Sequence, residues 1–389
     1  MVLPAMMTTC SPSTSRSSAG NAVFNPSRLA LARKRRGWTK RRLARAVGVT
    51  DKSIMLFESG ELNPGELTLP ALAQALDFPE AFFTDPTDLE EIETDAASFR
   101  ALSKMTAAQR DAAQAAGSLA YALSDWIADY FRLPEPDVPK LMPGLDAETA
   151  AEVVRMEWKL GEAPISNVVH LLEAHGVRVF SLAEDSRDVD AFSTWRAGTG
   201  EPYVFLNTKK SAEHSRFDAA HELGHLVLHW HHDAPQGREA EHEAQTFASA
   251  LLMPRAAMLA SAPRFVTLNE ITKHKRRWRV SAMAFVYRLN RLGLLSDWHY
   301  RTLNVEMSKR GYRTKEPHSI AHETSQVLNK VFNALRKEGI GKTQIADALH
   351  IFPDDLDALV FGLALLPVAG EGKGRPVSTE SRPALRLVN

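Results

Sequence analysis

Apolar residues in this chain recur mostly at intervals of three and four, the spacing that lays them along one side of a helix. Leu119, Leu123, Trp126, Ile127 and Tyr130 do so across 106–131, and Ala244, Phe247, Ala248 and Leu251 do so across 239–254. Further helices are expected at 147–159, 165–175, 212–228, 276–293, 324–337 and 353–361. Only three short runs, at 176–180, 190–195 and 203–207, have the composition and bounding residues of strands. The expected fold class is therefore mainly α with a small β-sheet (α+β). The long helix at 106–131 is open to two uses, a seam between two copies in a homodimer or packed core, with core preferred. The Pro-rich stretch 133–143 after it must be an extended connection.

Shorter helical periods open the chain. Leu29 and Ala32 begin a helix that Gly37 ends; Thr39 caps a second, striped by Leu43, Ala44 and Val47 and broken by Gly48; Thr50 or Asp51 caps a third through Glu58. Helices at 68–76 and 80–83 close a five-helix bundle. A helix, a short turn with glycine and another helix is the arrangement that offers its later helix to the major groove of DNA. Arg28, Arg33, Lys34, Arg35, Arg36, Lys40, Arg41, Arg42 and Arg45 lie here with no acid among them.

One of the expected helices, 212–228, carries chemistry. Its His221-Glu222-Leu223-Gly224-His225 is H-E-x-x-H, and residues four apart share a helix face, so two imidazoles can meet one metal ion. Glu222 lies beside them, able to take a proton from water at the ion's open side. A catalytic zinc needs a third protein ligand. The inward stripe of the 239–254 helix ranks Glu241 first for that place and Glu243 second, with a solvated helix face the plainer reading of Glu243. Gln245 is a candidate to hydrogen-bond a ligating imidazole. His229, His231, His232 and His242 read as a polar loop and its surroundings between two helices.

The formal net charge is zero, so nucleic-acid affinity must come from the local basic patch and not from the whole chain. A single cysteine, Cys10, excludes internal disulfides and points to a cytoplasmic setting. No apolar run has membrane-spanning length, so no membrane partner is expected. Residues 1–22 read as a disordered leader without an export signal, and 370–389, rich in Gly, Pro, Ser and Arg, as a loose tail.

Two resemblances follow. The pattern L-A-x-x-x-G-V-x-x-x-x-I-x-x-F-E-x-G, here Leu43-Ala44, Gly48-Val49, Ile54, Phe57-Glu58 and Gly60, resembles the Xre/lambda-repressor type of DNA-binding domain. That resemblance implies a double-stranded DNA operator, with Lys52 and Ser53, and after them Met55, facing bases and Arg41 and Arg42 reaching phosphates. Arg216-Phe-Asp-Ala-Ala-His-Glu-Leu-Gly-His225, with the later Phe-Ala-x-x-Leu-Leu-Met-Pro, resembles the ImmA/IrrE metallopeptidases over roughly 150–300. It implies a gluzincin-like site, with His221, His225 and Glu241 as zinc ligands and Glu222 as general base. Gln245 departs from the Asn or Asp frequent in such sites.

The expected layout is a helix-turn-helix domain at 24–84, a helical linker region at 85–145, a zincin-like metallopeptidase domain at 146–300 and a C-terminal helical domain at 301–369. Its segment 340–361 repeats a helix-turn-helix cadence without the basic charge and is expected to be a structural or protein-interaction cap. The basic helix pair at 276–293 is expected to present a solvated face. The function expected is a DNA-binding regulator whose zinc peptidase cuts a repressor- or antitoxin-type protein after a stress signal. The alternative is a transcription factor whose peptidase-like body is a non-catalytic sensor or dimerisation module.

Overall fold

The computed structural model describes residues 23–92, 105–182, 191–231, 234–235 and 237–366. The leader, residues 98–102, Asp190, His232 and the tail at 370–389 lie outside these residues.

Five helices form the N-terminal bundle: α1 (Pro26–Arg35), α2 (Lys40–Val47), α3 (Asp51–Glu58), α4 (Thr68–Leu76) and α5 (Glu80–Thr84). Each early start has a side-chain acceptor for an otherwise unpaired backbone N–H: Asn25 for Ser27 and Arg28, Thr39 for Arg42, Thr50 for Ser53. Gly48 turns the chain after α2 at φ 72°, a left-handed conformation that glycine adopts without strain. Leu29, Leu43, Ile54, Leu72 and Leu76 are fully buried between the helices.

The long helix α6 (Ala107–Tyr130) is core. Thr106 and Gln109 form a capping box at its start, and its Leu119, Leu123 and Ile127 are buried. One side packs on α1; on the other, Tyr121 meets Tyr203 of the sheet with ring centroids 4.5 Å apart. The acidic stretch before it is tied down where it is described. Glu90 pairs with Arg196, Glu91 with Lys34, and Ile92 fills the notch left by Gly117.

After α7 (Ala147–Glu157) and α8 (Val168–Ala174) come β1 (Arg178–Ser181), β2 (Phe192–Trp195) and β3 (Pro202–Leu206), in the order β1-β3-β2. β3 runs parallel to β1 and antiparallel to β2, and all five of its residues are buried. The strand just before the helix of the H-E-x-x-H pattern, β3, offers no edge to an extended substrate, because both its sides are paired; the edge next to that helix belongs to β2.

Helices complete the chain: α9 (Ala212–Leu228), α10 (Arg238–Leu252), α11 (Arg255–Ser261), α12 (Leu268–Trp278), α13 (Ala282–Arg291), α14 (Asp297–Lys309), α15 (Gln326–Lys337), α16 (Lys342–Ala348) and α17 (Pro353–Val360). The basic pair α12–α13 presents Arg276, Arg277 and Arg291 to solvent, as expected, but two of its cations are buried. Lys275 and Arg288 are 1% exposed, Lys275 between Glu213 and Glu316 and Arg288 on Glu148 and the Met253 carbonyl, so these cations hold the interior together. α15 docks on α8 by exchanged caps. Glu173 accepts the N–H groups of Gln326 and Val327 at 2.7 and 3.1 Å, and Glu323 accepts those of Val168 and Val169 at 2.7 and 3.3 Å. α17 reaches the bundle, where Asp355 receives both terminal nitrogens of Arg36 at 2.7 Å. The C-terminal helices therefore cap the body.

Candidate metal centre and DNA-facing helices

Gly224 is the reason α9 and α10 come close. A Cβ there would stand 3.0 Å from the Phe247 ring and 3.2 Å from the Ala244 Cα. With hydrogen in its place the helices press together, and Phe247 and Ala244 are fully buried. That contact brings Glu241 over the two histidines. The Nε2 atoms of His221 and His225 are 3.1 Å apart, and the Glu241 carboxylate oxygens lie 3.4 Å from the first and 3.5 Å from the second. Ligands at about 2.0–2.1 Å in a tetrahedron stand roughly 3.3 Å from one another. Two imidazole nitrogens and a carboxylate, one oxygen toward each ring, fit one divalent ion at these separations. Among the described residues these are the three His, Cys, Asp or Glu side chains grouped closely enough to hold a metal.

The basic run at the other end divides by burial. Arg28 pairs with Asp85, Arg33 with Glu58 and Arg36 with Asp355, so three of its cations are internal struts. Arg41, Arg42, Arg45 and Lys52 are exposed, as is Met55, on the α2–α3 side. The Arg42 guanidinium lies 4.3 Å over the Trp38 ring. Ser53 is half-buried with its hydroxyl 2.8 Å from that of Thr50, inside the helix cap.

Residues 27–82 match the helix-turn-helix domain family, and residues 172–290 match the family of IrrE N-terminal-like domains. This chain joins a helix-turn-helix domain to an ImmA/IrrE-type domain. The chain is also 25% identical over 171 residues to the radiation response metalloprotease IrrE of Deinococcus radiodurans, across 40% of this chain and 52% of that relative. It thus spans about half the length of that curated relative.

Within the IrrE-like domain the charge states follow from burial and neighbours. Glu222 is 1% exposed; burial pushes its carboxyl up to about 8, against the opposing pull of His221 and a hydrogen bond with Ser193. The Ser193 hydroxyl, on the edge strand β2, sits 2.8 Å from Glu222 Oε2 and 3.1 Å from the Glu222 carbonyl. Burial holds His225 down at about 4, a neutral ring. Burial would raise Glu241, but opposing pulls, first among them its hydrogen bond from His221, outweigh it and keep the carboxylate ionised far below its usual range. His221 is also desolvated, yet Glu241 and Glu222 together raise it.

Three placements differ from the residue-by-residue expectation. His229 is no loop residue: it ends α9, is 4% exposed, and its Nδ1 stands 2.9 Å from His225 Nδ1. It thereby fills, for His225, the place foreseen for Gln245. Gln245 is exposed and lines a neighbouring cavity. Glu243 faces away from the histidine pair and meets His229 Nε2 at 2.9 Å. The repeat His221, His225, His229, every fourth residue, was the signal for the first of these. Nothing local signals Ser193, which only the sheet brings under α9. The cavity, about 460 Å³, is lined by Phe217 and Gln245, each one helical turn from a candidate ligand, and by Tyr287, Tyr300, Tyr312 and Arg313.

Proposed function

We propose that this chain is a DNA-binding regulator with a working zinc peptidase, acting in the cytoplasm on a repressor- or antitoxin-type protein to relieve repression at its operator. The observation that carries this reading is the convergence of His221, His225 and Glu241 beside the buried carboxyl of Glu222. Two imidazoles and a carboxylate are the donor set of a hydrolytic zinc. His221, His225 and Glu241 would hold the ion. Zinc in such a site acidifies water and polarises a carbonyl.

Glu222 takes the proton of the attacking water and returns it to the leaving amine, with Ser193 fixing the carboxyl's direction. A carboxyl whose affinity for protons lies near neutrality suits both transfers. The adjoining cavity offers aromatic walls to a side chain of an extended peptide. At the other end, Lys52 and Ser53 meet base edges while Arg41 and Arg42 meet phosphates, Arg42 from its perch on Trp38.

The test compares new protein N-termini in cells producing the wild type with those in cells producing Glu222→Gln, which keeps all three ligands. Termini present with the wild type and missing with the variant support the peptidase. Identical sets, with zinc retained in both proteins, give the body to the sensor or dimerisation reading instead.

A further inference from the structure

We propose that His229 and Glu243 form a positioning pair that fixes the ring of His225 with its proton on Nδ1, leaving Nε2 bare toward the metal centre. The inference rests on the metal-site reading above and adds to it a proton chain of three residues.

The chain has one consistent assignment. His225 Nδ1 and His229 Nδ1 are 2.9 Å apart, so one must carry the hydrogen and the other a lone pair. His229 Nε2 lies 2.9 Å from a Glu243 carboxylate oxygen, which can only accept. Nε2 of His229 therefore holds that ring's hydrogen, and its Nδ1 is the acceptor. The hydrogen between the rings then belongs to His225 Nδ1, and His225 Nε2 is left with a lone pair. That nitrogen is the one 3.1 Å from His221 Nε2 and 3.5 Å from Glu241. This assignment holds with both rings neutral, and Glu243 serves as the acceptor through a single oxygen.

Geometry makes the pair rigid as well as polar. The spacing that sets His225 one turn after His221 sets His229 one turn after His225, and the helix ends there. Glu241 and Glu243 are two positions apart on α10, so they diverge, one to the ion-facing nitrogens and one to the far end of the chain. A ring pinned at both nitrogens cannot turn its Nε2 away. Outer partners of this kind are worth about 10–100-fold in metal affinity.

Two substitutions at residue 229 separate this role from mere packing. His229→Phe keeps an aromatic ring but has no acceptor, whereas His229→Gln offers an amide oxygen to His225 Nδ1–H. Zinc affinity, measured on the full chain against a competing chelator, should fall about 10–100-fold in His229→Phe and recover in His229→Gln. Glu243→Gln, which keeps an acceptor, should bind zinc as the wild type does, and Glu243→Leu should not. Nitrogen-15 spectra of the metal-free protein should show the His225 proton on Nδ1 in the wild type and a mixture of ring forms in His229→Phe. Equal zinc affinity in His229→Phe and wild type, an equal loss in His229→Phe and His229→Gln, or a wild-type His225 protonated on Nε2 would overturn the proposal. Absence of zinc binding by the wild type would sink the metal reading; the ring form seen in the metal-free spectra decides the pair by itself.

Discussion

Two regions of this chain concentrate ionisable side chains, and they stand differently toward water. On α2 and α3, Arg41, Arg42, Arg45 and Lys52 are exposed to solvent. Between α9 and α10, Glu222, His225 and His229 are 1%, 3% and 4% exposed, and the state of each is set by what touches it. An exposed cation can act on any polyanion that approaches, so its place on a helix goes far toward describing its work. A buried acid or imidazole has no such fixed character. Burial moved Glu222 up to about 8 and His225 down to about 4 within four residues of one helix. The first region is organised for reach; the second is organised for control of protons.

If that division is sound, the two regions fail separately. Glu222→Gln should cut peptide-bond cleavage by about 10²–10⁴-fold, the range for loss of a general base. It should leave zinc content and operator binding unchanged. The double variant Lys52→Ala/Ser53→Ala should do the reverse, abolishing sequence-specific DNA binding while keeping zinc. Gel-shift titration and metal analysis of both proteins read all four quantities, and loss of operator binding in Glu222→Gln would break the separation.

Buried acids outside the centre should obey the same control. Glu173 sits under the start of α15, 2% exposed, and burial pushes its carboxyl up to about 7 although Ser325, Gln326 and Val327 hydrogen-bond it. Raised in the folded protein, this group adds stability that is full below pH about 4.5, its unfolded value, and is lost as pH rises through about 7. The change is on the order of 3 kcal/mol. Glu173→Gln, an uncharged mimic, should remove it, so the denaturation midpoints of variant and wild type should converge at pH 5 and separate at pH 8, the variant being the more stable. Parallel pH profiles would show that Glu173 is ionised at no cost.

The third comparison concerns packing. Gly224→Ala forces a methyl against Phe247 and Ala244 and should cost about 1–3 kcal/mol. Because the displaced helix carries Glu241, zinc affinity should fall as well, with no change in the bundle's grip on DNA. A stable variant with unaltered zinc affinity would show that α10 has slack here.

The same contrast explains which parts of the molecule its sequence announced. Caps and stops are local, so Thr39, Gly48, Thr50 and Thr106 mark helix ends within a few residues of where they lie. The spacing of His221 and His225 is local too, and Glu241 follows from the inward stripe of a single helix. What could not be read is set by contacts distant in sequence. Ser193 reaches Glu222 only through the pairing of β2 with β3, and β3 becomes a central strand only when β1 and β2 flank it. Lys275 and Arg288 look like surface cations until Glu213, Glu316 and Glu148 come to them. Glu243, second to Glu241 as a ligand and read more plainly as a solvated face, instead meets His229, a neighbour that helix periodicity cannot name.

The smallest effect expected tests how far exposure alone identifies the DNA-facing cations. Arg41 and Arg36 are five residues apart in one basic run, and charge counting treats them alike. Arg36 spends its guanidinium on the Leu76 and Asp77 carbonyls and on Asp355, whereas Arg41 points into solvent at the start of α2. At a temperature where both variants are folded, Arg41→Ala should flatten the dependence of log affinity on log salt by about one unit, the share of one phosphate contact. Arg36→Ala should leave that slope where it was. Equal slopes for Arg41→Ala and the wild type would move the phosphate contact elsewhere on the bundle, and a shallower slope for Arg36→Ala would mean that the strut to Asp355 opens when DNA binds.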